Sequence, residues 1–308
     1  MFRPRTPPLA AALALAVLTS LGACSATPPP QGAAPSATTT PSPSPSVPSA
    51  DPLFAELETT FDARLGVYAL DTGTGGALEY NADERFAYAS TIKALLAAVV
   101  LDTTTDAQLD TLVSYETSDL LDYAPVTERN VGTGMTLRAL ADAAVRYSDN
   151  TAANLLLERI GGPAALDAAL ETSGDDVTQV DRTEPALNEA TPGDPRDTTT
   201  PRAFATGLRH FVLGDGLDAG DRATLTSWLV ANTTGDALIR AGVPAGWKVG
   251  DKTGSGRYGT RNDIAVLWPP DGAPIVLAIF SSRATPDAEH DDALLASATA
   301  VALEALGR

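Results

Sequence analysis

The chain has 308 residues, with 39 acidic against 21 basic side chains, a formal net charge of −18 and a pI near 4.3. So large an excess of negative charge repels a phosphate backbone and an anionic membrane surface, which excludes a nucleic-acid-binding role for the folded part. One cysteine and two histidines exclude an intramolecular disulfide and leave no material for a Cys- or His-rich metal centre, so neither metal nor cofactor is expected.

Residues 1–24 carry Arg3 and Arg5, then the apolar run Leu9 to Leu18, then Leu21-Gly22-Ala23-Cys24. This is the pattern of an export signal ending in a lipoprotein-type cleavage site, and the apolar run is too short to span a bilayer. Cys24 is then the expected lipidation site. That places the protein in the cell envelope, held by acyl chains alone, with release outside the cell as the other outcome. Residues 25–50 are almost entirely Pro, Ser, Thr, Ala and Gly and include Pro41-Ser42-Pro43-Ser44-Pro45-Ser46. Such a segment cannot bury a core and predicts a disordered tether. Residues 51–308 suffice for one catalytic unit of two lobes, expected to act as a monomer on a small molecule.

Arg64 to Leu70 and Ala77 to Tyr80 flank Asp71-Thr72-Gly73-Thr74-Gly75-Gly76 and predict a β-hairpin. The stretches Ser90 to Leu101, Leu137 to Tyr147, Asn150 to Ile160, Pro163 to Thr172, Pro201 to Leu213 and Asp218 to Thr226 show helical apolar spacing, with Ser, Thr, Asp or Pro near their starts. Trp247 to Gly254, Thr260 to Trp268 and Ile275 to Ser281 predict three strands joined by short Gly- and Pro-containing turns, an antiparallel meander. Asp287 to Leu306 predicts a final Ala- and Leu-rich helix. The fold class is therefore α+β: a five-stranded antiparallel sheet lobe built from both chain ends (about 51–84 and 240–308), with an all-α lobe (about 85–239) inserted. A cleft between the lobes is the expected substrate site.

Only three of the 21 basic side chains are lysine, and two of these stand in short motifs, Ser90-Thr91-Ile92-Lys93 and Lys252-Thr253-Gly254. A desolvated lysine can lose its proton and act as a base, whereas arginine cannot. With Ser90 at a helix start, Lys93 lies one turn on and on the same face, so that its amine can approach the Ser90 hydroxyl. Ser148-Asp149-Asn150 joins two predicted helices; its residues are ordinary caps, and in a rigid turn they can also relay a proton (Ser148) and orient a substrate amide (Asn150). On the strand carrying Lys252, Thr253 and Ser255 are placed to bind a carboxylate, Gly254 lets a ligand backbone come close, and the Ser255 amide can face an acyl oxygen. The long stretch Val180 to Pro201 has no periodicity and contains Glu184 and Asn188, a carboxylate and an amide able to hold a water. Arg182 and Asp197 can pair across its neck, an interaction that contributes little if it lies at the surface. With only His210 and His290 available, a Ser-His-Asp triad is hard to build.

In their order along the chain, Phe86-Ala87-Tyr88-Ala89-Ser90-Thr91-Ile92-Lys93, Tyr147-Ser148-Asp149-Asn150, Asp181-Arg182-Thr183-Glu184-Pro185-Ala186-Leu187-Asn188 and Asp251-Lys252-Thr253-Gly254-Ser255-Gly256 resemble the four active-site segments of the class A serine β-lactamases, and Arg196-Asp197-Thr198-Thr199-Thr200-Pro201 closes the loop as members of that family do. The resemblance covers about Leu53 to Leu306. It implies hydrolysis of penicillins and cephalosporins, and hence resistance to them, through an acyl-enzyme on Ser90. The Ser90 and Ser255 amides form the oxyanion hole, Lys93 or Glu184 takes the Ser90 proton, Ser148 supported by Lys252 protonates the leaving nitrogen, and Glu184 with Asn188 directs the hydrolytic water. It further implies Tyr123 as a wall of the cleft, Asn150 as a substrate-amide ligand, and Arg240 and Arg261 as alternative arginines for the substrate carboxylate. Ala89 and Gly256 stand where some carbapenem-hydrolysing members have a disulfide, so that bridge is absent. Two other readings compete: a D-alanyl-D-alanine peptidase trapped by the drug, and a non-enzymatic cell-wall or antibiotic-binding lipoprotein. Glu184 and Asn188 favour the hydrolase, because a trapped peptidase site needs no carboxylate placed to activate water.

Overall fold

A computed structural model describes residues 49–308. The expected export signal, Cys24 and all but the last two residues of the expected tether lie outside the described residues. Of those two, Ala50 is buried and its carbonyl accepts the first backbone bonds of a helix, so the folded part begins just before residue 51.

That helix, α1 (Asp51–Phe61), has no counterpart in the sequence-based expectations. Its apolar stripe is thin, with Phe54 alone fully buried, and it is held by packing on the C-terminal helix rather than by an obvious periodicity. The hairpin follows as β1 (Arg64–Asp71) and β2 (Ala77–Tyr80), paired Val67 to Tyr80. The meander is β3 (Lys248–Ser255), β4 (Arg261–Trp268) and β5 (Ile275–Ser282). The order across the sheet is β2-β1-β5-β4-β3, antiparallel throughout, so β1 from one chain end pairs with β5 from the other over its whole length. The expected sheet from both chain ends is thus present.

Between hairpin and meander lie α2 (Ile92–Thr103), α3 (Leu137–Arg146), α4 (Asn150–Ile160), α5 (Pro163–Thr172), α6 (Pro201–Val212) and α7 (Ala219–Val230), followed after β5 by α8 (Asp292–Ala305). Two one-turn helices, Asp106–Leu109 and Ile239–Gly242, complete the α-helices of the described residues. Side-chain oxygens of Thr136, Asp149, Thr200, Asp218 and Asp291 cap α3, α4, α6, α7 and α8, each accepting a first-turn backbone N–H. Each such cap contributes about 1 kcal/mol. The expected final helix from Asp287 instead starts at Asp292 for this reason, and α7 continues past Thr226 to Val230.

Helix α2 is buried from Ile92 to Leu101, which makes it the axis of the helical lobe. Its alanines Ala94, Ala97 and Ala98 let α4, α5 and α7 pack closely around it. The sheet buries both faces. Phe54, Val67, Ala69, Ile279, Leu295 and Ala298 fill the side covered by α1 and α8, while Tyr68, Phe204, Ile264, Val266 and Phe280 join the other side to the helical core. Two elements that carry chemistry, β3 and the turn that leads into α2, meet where these lobes adjoin.

Candidate active site

The turn before α2 fixes the first functional side chain. Ser90 lies in a single 3-10 turn, Ala89–Thr91, rather than at the first residue of the α-helix, and Ala89 adopts a left-handed φ of 49° to enter it. The turn is tied down by Thr91 Oγ1 donating to Tyr88 O (2.7 Å) and by Asn262 Nδ2 of β4 donating to Ala87 O (2.8 Å) and Tyr88 O (3.1 Å). Strand β3 runs against it at Gly254. A Cβ there would stand 2.9 Å from Tyr88 O and 3.1 Å from the Ser90 amide nitrogen, so only glycine allows the strand this close. The close approach brings Ser255 to the same small cavity as Ser90.

Behind Ser90 lies a buried polar cluster. Lys93 Nζ stands 2.8 Å from Glu184 Oε1 and donates to Asn150 Oδ1 (2.6 Å) and Ser148 O (2.9 Å). These three partners take the donors that an ammonium has, and the expected close approach of the Lys93 amine to Ser90 is replaced by another contact. Ser90 Oγ donates to Glu184 Oε1 at 3.2 Å. On the other side Lys252 Nζ donates to Ser148 Oγ (3.0 Å) and to Thr253 O (2.7 Å). Ser148 sits at φ 56° in the turn between α3 and α4, a strained position that the Asp149 cap and the two lysines hold in place.

Burial lowers the proton affinity of both amines. For Lys93 desolvation outweighs the neighbouring Glu184 carboxylate, which acts in the opposite sense. Lys252 falls to about 7, first through desolvation and next through the charge of Lys93. An amine that can be neutral near physiological pH, hydrogen-bonded directly to the Ser148 hydroxyl, is the equipment for moving a proton without a histidine.

Glu184 is equally enclosed. Asn154 clamps its backbone from both sides, with Nδ2 donating to Glu184 O and Oδ1 accepting from Glu184 N, each at 2.9 Å. Asn188 Nδ2 donates to Glu184 Oε2, while Asn188 Oδ1 is buried with no protein partner, an acceptor still free for a ligand or water. The loop's neck is closed by Arg182 Nε on Asp197 Oδ2. This is not the weak surface pair expected. Asp197 is fully buried and also accepts from Tyr88 Oη (2.9 Å) and from the backbone N–H groups of Asp181 and Arg182 (both 3.0 Å).

The cavity in front of this cluster has a volume of about 270 Å³ and is lined by Ser90, Tyr123, Ser148, Asn150, Asn188, Thr234, Thr253, Gly254, Ser255 and Arg261. Tyr123 is 60% exposed at φ 62° and forms an outer wall. Arg261 reaches Ser255 Oγ (3.3 Å) with one guanidinium nitrogen and is steered by Asp292, whose Oδ1 accepts from Nε at 2.6 Å. Arg240 corrects the sequence-based expectation, because it does not face the cavity. It lies on the back of β3, with Nε on Asp251 Oδ1 (2.6 Å) and Nη2 on the carbonyls of Leu229 (3.2 Å) and Val230 (3.0 Å). Asp251 is buried and its second oxygen accepts from Asn232 Nδ2 (2.6 Å). One cavity residue, Thr234, was not singled out from the sequence. Its hydroxyl lies 2.6 Å from that of Thr253, and nothing in the local pattern after α7 distinguishes it from an ordinary turn threonine.

The two arginines are expected to behave differently. Arg261→Ala should raise KM for a carboxylate-bearing substrate by about 10- to 100-fold, the loss of one charged hydrogen bond, with little change in Tm. Arg240→Ala should strand the buried Asp251 charge and cost about 3 kcal/mol of stability, read in a urea titration.

An inserted helical lobe, a sheet from both chain ends, and a buried Glu184 that contacts both Ser90 and Lys93, facing the Ser148–Lys252 pair, define an active-serine acyl-transfer enzyme. Three larger depressions, of about 320, 480 and 900 Å³, contain none of this constellation. The chain belongs to the β-lactamase enzyme family, whose description matches residues 52–306, and within it to the class A serine enzymes. It is 62% identical to a β-lactamase of Amycolatopsis lactamdurans over 263 residues, 85% of this chain and 87% of that one. It is 50% identical to β-lactamase AST-1 of Nocardia asteroides over 301 residues, 97% and 95% of the two chains. Among solved structures, a class A β-lactamase from Clostridium kluyveri superposes with a TM-score of 0.83 at 48% identity, covering 84% of this chain and 98% of that one. A halotolerant bacterial β-lactamase does so with a TM-score of 0.82 at 55% identity, covering 83% and 98%.

Proposed function

We propose that the protein hydrolyses the lactam amide of penicillins and cephalosporins through a Ser90 acyl-enzyme and thereby confers resistance to them. The observation that carries this reading is Glu184. It is a buried carboxylate within hydrogen-bond reach of the nucleophile, with the Asn188 amide fixed beside it.

The Ser90 oxygen bonds to the lactam carbonyl carbon while its proton passes to Lys93 or Glu184, both part of one buried contact network. The carbonyl oxygen takes up negative charge facing the backbone N–H groups of Ser90 and Ser255, each such donor contributing roughly 100-fold or more in rate. The C–N bond breaks as Ser148 hands its proton to the ring nitrogen and receives in its place the proton that left Ser90, passed on by Lys93, whose Nζ lies 3.5 Å from Ser148 Oγ, while the ammonium of Lys252 steadies that oxygen. A water held by Glu184 and Asn188 then gives a proton to Glu184 as its oxygen bonds to the acyl carbon. Ser90 Oγ leaves, recovers a proton, and the product is an opened ring with a new carboxylate. Thr253, Ser255 and Arg261 hold the substrate's own carboxylate and Asn150 its side-chain amide, with Tyr123 against the ring.

A peptidase trapped at the acyl stage has no use for the Glu184–Asn188 pair, and a binding module has no use for Lys93 against Glu184. Intact-protein mass measured milliseconds to seconds after mixing with a penicillin tests the covalent step. The expected result is a transient adduct of one substrate mass on the peptide containing Ser90, absent from Ser90→Ala; an adduct elsewhere, or one that survives in the variant, removes Ser90 from the mechanism.

The Arg3- and Arg5-led apolar segment and the Leu21-Gly22-Ala23-Cys24 sequence support export and lipid anchoring at Cys24, with residues 25–50 as the tether of a monomeric catalytic unit. Cys24→Ala is expected to release activity from the membrane fraction without lowering it in detergent; retention of the variant on membranes would argue against the anchor.

A further inference from the structure

The two amides that face the lactam carbonyl oxygen in the proposed reaction belong to different lobes. The Ser90 N–H lies in the 3-10 turn before α2, and the Ser255 N–H lies on β3. One buried residue reaches both. Asn262 of β4 stands directly opposite Gly254, the residue whose peptide group carries the Ser255 N–H. Gly254 puts no side chain in the way, and the Asn262 amide extends to the turn, where Nδ2 donates to Ala87 O (2.8 Å) and Tyr88 O (3.1 Å). Asn262 Oδ1 accepts from the Ser281 N–H of β5 (3.2 Å). The residue is fully buried, and both its donor and its acceptor atoms are engaged.

The turn needs a hold from outside itself. Ala89 lies at φ 49°, a left-handed conformation that an alanine keeps only where its surroundings impose it. On one side of it, the Ala89 carbonyl accepts from the Ile92 N–H, which ties the peptide group carrying the Ser90 N–H to the start of α2. On the other side, the Tyr88 carbonyl accepts from Thr91, which moves with the turn, and from Asn262, which belongs to the sheet. Ala87 O and Tyr88 N are the two ends of one further peptide group, held by Asn262 and by Asp197 O (3.2 Å). Resting on the β-lactam reading above, we infer that Asn262 is a positioning residue for the oxyanion hole. It sets the Ser90 amide against the Ser255 amide by holding the strained turn to the β3–β4 strand pair. Its side chain touches no reacting atom. An oxyanion donor is effective only when aimed at the place the charged oxygen will take, so a rotation at Ala89 costs rate without costing ground-state binding.

A double-mutant cycle in the full-length protein in detergent tests this. Asn262→Ala should lower the acylation rate constant for a penicillin, read by stopped flow, by about 10- to 100-fold, the effect of misaiming one oxyanion donor. The dissociation constant of the noncovalent complex should change by less than about threefold. Asn262→Leu refills the space without the hydrogen bonds and should lose as much; wild-type acylation by that variant would make Asn262 a packing element and overturn the inference. Ala89→Gly removes the penalty on the left-handed conformation, so in that background Asn262→Ala should cost less than about fivefold. Equal losses in the two backgrounds overturn the inference, and so does a loss confined to binding. Urea titrations of the same four proteins read the coupling without substrate: Asn262→Ala should lower the midpoint less when Ala89→Gly is present, and additive midpoints overturn the hold on the turn. Because unfolding needs no turnover, coupled midpoints in a protein that opens no lactam would instead count against the β-lactam reading.

Discussion

Glu184→Ala is expected to convert the enzyme into a protein that takes up one β-lactam and keeps it. The two halves of the reaction draw on Glu184 differently. Acylation has a second base at hand. Lys93 would lose the Oε1 contact at 2.8 Å that now favours its charged form, and complete burial would then drive it further toward the neutral amine. Deacylation has no such reserve, because Asn188 offers only an amide and Lys93 is occupied by Ser148 and Asn150 on the far side of Ser90. A positioned general base contributes about 10²- to 10⁴-fold. Deacylation should therefore slow by about 1,000-fold while acylation falls by less than about tenfold. Stopped-flow absorbance and intact mass would show a burst of one ring per molecule and an adduct that persists for minutes or longer. Rapid steady turnover by the variant would remove Glu184 from the water-activating role.

The second large effect is predicted at the neck of the loop. Asp197 is buried beneath Tyr88, and Arg182 supplies its only counter-charge among the described residues. Arg182→Ala would leave that carboxylate with one hydroxyl and two amide donors, a change expected to cost about 3 kcal/mol. For a domain of this size that is a fall in Tm of about 6–12 °C. The loss should not stop at stability, because Asp197 O also accepts from the Tyr88 amide in the segment that leads into Ser90. Deacylation should slow more than acylation, since Glu184 sits two residues from Arg182. Asp197→Ala removes the buried charge together with its donors' partner and should lose comparable activity. A variant that melts as wild type does would mean that the pair is dispensable.

Much of this site was legible because its chemistry is carried by short motifs. Ser90 and Lys93 are one turn apart, Ser148 and Asn150 share a turn, and Glu184 and Asn188 share another, so local spacing already places each pair together. Arg240 shows where that kind of reasoning stops. The family resemblance offers it as one of two alternative carboxylate ligands, but which face of β3 it serves depends on the buried Asp251, whose need for a cation no local pattern displays. Asp197 is hidden for a related reason: the loop's polar composition reads as solvated surface, whereas Tyr88, stacked on Phe204 of the helical core, donates its hydroxyl to the buried carboxylate. Thr234 becomes a functional candidate only through its pairing with Thr253, which folding brings together from distant parts of the chain. The fold class followed from strand-like patterns at both ends and helical ones between. Helix α1 escaped because a single buried phenylalanine in 11 residues gives no periodicity to detect.

The central claim, that Glu184 and Asn188 make this a hydrolase rather than an acyl trap, is tested most directly by counting rings opened per protein molecule with excess penicillin or cephalosporin. The account predicts many rings per molecule, at a steady rate abolished by Ser90→Ala. One ring per molecule, with the adduct retained on wild-type Ser90, would contradict it and make the protein a trapped peptidase; none at all would leave only a binding domain.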